Sequence, residues 1–179
     1  MKTLTDLSPA DLKALLRSAP VVVTVADLIR PNPPDPLTNG AKWENQRRYP
    51  SETKLNRVSV KIIACGVESN DHDYHIVIEN PADPTQTMVS ELPDPACPDV
   101  ANNSILRARY KALREWFDTN IKTPTGSIEV LPAPFMVDII GVPFWDGKHP
   151  GNVHGAAANF HEIHPILNFV KNGVFAIPD

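Results

Sequence analysis

The chain has 179 residues, 42% hydrophobic and 21% charged, which fits one domain with its own core and is too apolar for general disorder. A net charge of −4 lacks the basic excess of a duplex-binding protein, so nucleic acid is not an expected partner. Two cysteines, Cys65 and Cys97, are too few for a disulfide scaffold and read as free thiols.

Ser8-Pro9-Ala10-Asp11 opens a short helix, with serine as cap, proline at the first helical position and an acid in the first turn. Leu12, Leu15 and Leu16 give it one apolar face, and Pro20 ends it. With Asp6, Asp11, Lys13 and Arg17 in this stretch, it reads as neither a signal peptide nor a membrane span, so a cytoplasmic protein with no membrane partner is expected. Val21 to Val25 is β-branched throughout and reads as a strand. Arg30 to Pro36 is a polyproline-like connector, and 19 prolines against 8 glycines predict stiff, extended links. Leu37 to Thr53, which includes Trp43 and Arg47-Arg48, gives no clear element.

From Val58 the pattern sharpens. Val58, Val60, Ile62 and Ala64 alternate with Ser59, Lys61, Ile63 and Cys65, a strand with two faces. Glu68 to Asp71 is turn chemistry. Tyr74, Ile76 and Ile78 alternate with His75, Val77 and Glu79 in a second strand, and Thr87 to Leu92 makes a third, ended by Pro93 and Pro95. A helix is expected from Ser104 to Thr119, where Leu106, Tyr110, Leu113 and Phe117 form one stripe. Asn102, Asn103 and Ser104 each offer a capping oxygen at its start. Phe135 to Phe144 is a fourth strand, Asp146 to Asn159 a loop with glycine and histidine, and Phe160 to Val170 a fifth strand broken by Asn172-Gly173.

Three strands, a helix and two strands is the order of an OB-type five-stranded barrel, with the helix plugging it between strands three and four. The expected fold class is mainly β: residues 58–179 form the barrel, and residues 1–57 contribute a helix, a strand and a Pro-rich connector packed on it. No internal repeat is visible.

The barrel residues also carry a recurring set of short motifs. These are Asp71-x-Asp73-Tyr74-His75, Met88-x-x-Glu91-x-Pro93-x-Pro95-x-Cys97, Gly141-x-x-Phe144-x-Asp146 and Glu162-x-His164-Pro165. Together, from about Arg47 to Phe169, they resemble a family of uncharacterised small bacterial β-domains. The resemblance implies an OB-like fold and no particular activity. Members of that family often look exported, whereas the first twenty residues here carry no leader pattern.

Barrel geometry brings one set of reactive side chains together. In an OB barrel, strand three lies between strands two and five, which places His75, Glu91, and Glu162 with His164 on adjacent strands. Asp73 shares a face with His75, and Glu162 with His164, because residues two apart in a strand point the same way. Histidine beside carboxylate is the makings of a general base or of half a metal site, so His75, Glu91, Glu162 and His164 are the candidate catalytic residues. The same pairs also occur simply as cross-strand stabilisation.

Other chemistries find less. His161-x-x-His164 lacks the helical spacing of two metal ligands, no CxxC is present, and His149 and His154 fall in a loop, so no metal site is expected and no cofactor is named. There is no GxSxG elbow and no phosphate-cradling glycine loop. Cys97, near His75 in the expected fold, reads more readily as an inert thiol than a nucleophile. Phe144 and Trp145 precede a loop holding Asp146 and His149, an arrangement suited to contact with a protein or small ligand. A binding module using Phe144, Trp145, Asp146 and His149 is therefore the first functional expectation. A hydrolase built on His75, Glu91 and His164, by acid–base or metal-assisted chemistry, is the alternative. Single-strand binding through Arg107, Lys111 and Arg114 is a distant third, opposed by Asp71 and Asp73. Composition leaves the oligomeric state open.

Overall fold

The computed structural model describes residues 3–32, 49–146 and 154–178. The protein is mainly β. In chain order the elements are α1 (Pro9–Arg17), β1 (Val21–Val23), α2 (Val25–Ile29), a 3-10 turn (Pro50–Thr53), β2 (Asn56–Val67), β3 (Tyr74–Asn80), β4 (Asp83–Leu92), α3 (Pro98–Ala101), α4 (Ser104–Asn120), β5 (Glu129–Trp145), β6 (His161–Lys171) and β7 (Val174–Phe175). The Pro33–Pro36 part of the connector, Trp43, Arg47-Arg48 and His149 lie outside the described residues.

The sheet closes into a ring. Its neighbours run β2-β3-β4-β6-β5, and β5 returns to pair with β2. All these pairings are antiparallel except β4 with β6, which is parallel and registers through Val89 with Glu162 and Ser90 with Ile163. β1 lies parallel to the start of β2, Val22 opposite Arg57, so β2 is flanked first by β1 and then by β3 on one side and by β5 on the other.

Helix α4 fills one end of the ring. Leu106, Tyr110, Leu113 and Phe117 are fully buried, as their spacing demands. Phe117 meets Tyr74 and Phe169 with ring centroids 5.9 Å from each, and Trp116 stacks on Phe169 at 5.0 Å. Each such side chain contributes about 1.5–3 kcal/mol on leaving water. Of the three capping candidates, Asn103 is the cap, its Oδ1 accepting from the Leu106 amide.

The structure departs from the sequence reading at several points. Val25 begins α2 instead of ending β1: Thr24 and Asp27 form a reciprocal capping box, which outweighs the β-preference of one valine. A bulge between Ile62 and Ala64 turns the alternation of β2, so Cys65, expected opposite Val60, joins the core. β5 begins at Glu129, six residues before Phe135. Its Pro132 and Pro134 lie where the ladder with β2 is interrupted by that bulge, a place where a missing amide costs little. Asn172-Gly173 does not only end β6: both residues have positive φ (53° and 80°) and turn the chain back as β7.

Candidate functional site

The outer face of β3, of β6 and of the second half of β4 is covered, so both faces are buried there. Helix α2 packs across them. Residues 154–160, which lead into β6, lie beside it, with Gly155 (φ +80°) close against Val77. Asn159 and His161 clamp this cover, both donating to the Leu28 carbonyl at the end of α2. Residues His161 to Val170 of β6 are accordingly all buried.

Under this cover the strands assemble a polar cluster. His75 on β3 stands directly opposite Glu91 on β4. The parallel register of β4 with β6, carried one residue on, sets His164 beside Glu91. Glu162 follows on the same face, and Asp73 and Glu68 come from the two ends of the turn between β2 and β3. That turn is fixed by the Glu68 amide donating to the Asp73 carbonyl (2.9 Å), and Asp73 Oδ1 is held by the Asp94 amide (2.7 Å).

Glu91 is the centre of the cluster. Its Oε2 is 2.6 Å from His164 Nδ1 and its Oε1 3.5 Å from His75 Nδ1. Around His164 the other acids are Glu162, 3.2 Å from Nδ1, and Asp73, 3.4 Å from Nε2. His75 has Glu68 Oε1 at 3.1 Å from the same Nδ1 that faces Glu91. Its Nε2–H donates to the His154 carbonyl at 3.1 Å, and since a carbonyl only accepts, this fixes the tautomer of the neutral ring: Nδ1 carries the lone pair. His75 Nδ1 and His164 Nε2 are buried without an aligned hydrogen bond.

Electrostatics follow from this crowding. Burial alone would lower the pKa of His164, but Glu91, Asp73 and Glu162 outweigh it and raise it well above the ordinary value. His75 is raised more modestly, burial again opposing Glu91, the His154 carbonyl and Glu68. Among the described residues two groups have ligand atoms close enough to share a cation: Glu68 with His75 and Glu91, and Asp73 with Glu91 and His164.

All four candidate catalytic residues therefore fall in one cluster, and Glu162 and His164 lie in an interior strand, not at an exposed edge. The aromatic pair stands differently. Phe144, Trp145 and Asp146 are buried, and the Trp145 ring stacks flat on His161, centroids 4.1 Å apart. Cys97 caps α3 and is half-buried, and Cys65 is buried. Arg114 spends its guanidinium on the carbonyls of Leu92, Pro93 and His72.

Sequence reasoning missed Glu68 and Glu52. Glu68 read only as a turn residue. The fully buried Glu52 accepts from the backbone amides of Trp145 and Tyr49, and no periodicity marks it. An open groove of about 520 Å³ between α1 and the 3-10 turn, lined by Leu7, Asp11, Leu15 and Leu55, includes none of the cluster. Among the described residues no helix is long and apolar enough to cross a membrane. No protein-family model, curated protein or solved structure matches this chain.

Proposed function

We propose that the chain is an OB-type domain with a hydrolytic centre on the outer face of β3, β4 and β6, as its resemblance to the small bacterial β-domains would allow. The ring order β2-β3-β4-β6-β5-β2, with α4 between β4 and β5, supports the OB reading. In such barrels ligands meet the face of the second and third strands and the loops after the first and fourth. Here those are β3, β4, the turn at residues 68–73 and residues 154–160 ahead of β6, and the cluster lies among them. Two free thiols accord with a reducing, cytoplasmic setting.

The observation that carries the reading is Glu91 held between two histidines at 2.6 and 3.5 Å, away from bulk water. A water meeting Glu91 Oε1 and His75 would lose its proton to Glu91 as its oxygen bonds to a carbonyl carbon. That proton then passes to the leaving oxygen or nitrogen as its bond to carbon breaks, and Glu91 is restored. His164 steadies Glu91 throughout. Four carboxylates disfavour an anionic substrate, so an uncharged ester or amide suits the site better than a phosphate ester. This reading is preferred to a binding module because Phe144 and Trp145 present no exposed surface.

The test is a panel of activated esters and anilides with the chain and its Glu91→Gln variant. Removing the base should lower turnover by about 10²-fold or more. Equal rates for the two proteins across the panel would dismiss the hydrolytic reading.

A further inference from the structure

We propose that Glu68, His75 and Glu91 hold one divalent first-row transition-metal ion, on the side of Glu91 away from His164. The argument starts from the His75 tautomer. With Nε2–H committed to the His154 carbonyl, the neutral ring presents its Nδ1 lone pair to Glu68 Oε1 at 3.1 Å and Glu91 Oε1 at 3.5 Å. The three ligand atoms lie within 4.8 Å of one another, and Nδ1, which has no aligned hydrogen bond, belongs to a histidine that is 2% exposed. Ligands each about 2.1 Å from a common ion, at tetrahedral to octahedral angles, lie roughly 3.0–3.4 Å from one another. The two separations from His75 Nδ1, 3.1 and 3.5 Å, are close to that spacing.

The surroundings are those a metal site needs. A ligating histidine ordinarily donates its other N–H to a carbonyl or carboxylate, as His75 does to His154. A ligating carboxylate is itself hydrogen-bonded, and Glu91 Oε2 is held by His164 Nδ1 at 2.6 Å. Asp73 and Glu162 flank His164 in turn, so they are positioning residues for Glu91. One nitrogen and two carboxylate oxygens suit zinc, manganese, iron(II) or cobalt better than calcium or magnesium. Three protein ligands leave a position open for water or a substrate carbonyl, and the partly exposed Glu68 places that position toward solvent.

This inference rests on the same cluster as the hydrolytic reading and deepens it, the ion taking the place given above to the water at Glu91 Oε1 and His75 and its open position taking the water, but its test needs no turnover. The chain, stripped with chelator and dialysed, is titrated with Co²⁺, followed by visible absorption and by metal analysis. One ion per chain is expected, with affinity weakened at least about 10-fold in Glu68→Gln and lost in His75→Gln. Glu68 is at the surface, so Glu68→Gln leaves the fold standing, to be verified by circular dichroism. Absence of Co²⁺ binding up to roughly 1 mM overturns the proposal. So does binding that Glu68→Gln leaves unchanged, which would put the ion between Asp73, Glu91 and His164. Bound metal without ester turnover removes the hydrolase and keeps the ion. Turnover in a stripped chain that binds no Co²⁺ on titration removes the ion alone.

Discussion

Gly155→Ala tests whether the cover over the cluster is seated as described. The glycine has φ +80°, where an alanine costs about 1–2 kcal/mol. Its added Cβ would also stand 2.3 Å from Val77 Cγ1 and 2.9 Å from Cγ2, well inside van der Waals contact. Relieving such overpacking costs about 1–3 kcal/mol more, for a total of about 2–5 kcal/mol. The two contributions separate in a double-mutant cycle. Val77→Ala removes both offending methyls, so it should recover the packing part and leave the backbone part. Urea unfolding of the four proteins should give a favourable coupling of about 1 kcal/mol or more. Strict additivity would show that residue 155 does not rest on Val77, and the placement of the His154 carbonyl over His75 would fall with it.

Three further outcomes follow from other parts of the structure. Burial lowers the pKa of His161, so its neutral form is the folded one; that stability is present above the ordinary histidine pKa near 6.5 and is lost as pH falls below it. His161→Phe should thus flatten the fall in stability between about pH 6.5 and 5, and an unchanged slope would refute the assignment. Gly141→Ala should destabilise by about 1–3 kcal/mol, because its Cβ would sit 2.4 Å from Ile163 Cγ2 and 2.6 Å from the Pro165 carbonyl; a neutral effect on thermal unfolding would contradict that packing. Burial raises the pKa of Cys65 as well as shielding it, so a thiol reagent should label Cys97 first in the native protein and Cys65 only with denaturant, and equal rates would count against a core position for Cys65.

The strands and the long helix were legible because their signals are local. Leu106, Tyr110, Leu113 and Phe117 announce a helix face, and Val58, Val60 and Ile62 a strand face, without reference to anything distant. What escaped was set by partners far along the chain. The bulge that moves Cys65 into the core is a property of β2 against β3 and β5, and Pro132 and Pro134 are tolerated only because they lie opposite it. At the site, His75, Glu91, Glu162 and His164 could be placed together once a strand order was assumed. Glu68 could not, since a turn acid is ordinary until the fold puts it 3.1 Å from a buried imidazole. Nor could the burial of Trp145, which depends on His161 and Glu52 reaching it from remote segments.

The ring has one weak seam. Where β2 and β5 register along most of their length, β4 and β6 share only the Val89–Glu162 and Ser90–Ile163 pairs. Immediately beyond those pairs, Glu91 and His164 bridge the same two strands side chain to side chain. The cluster is thus the latch of the ring: to open the seam is to dismantle the site, and whatever occupies the site holds the seam shut. Occupancy should slow amide exchange at Val89, Ser90 and Ile163 more than elsewhere in the ring.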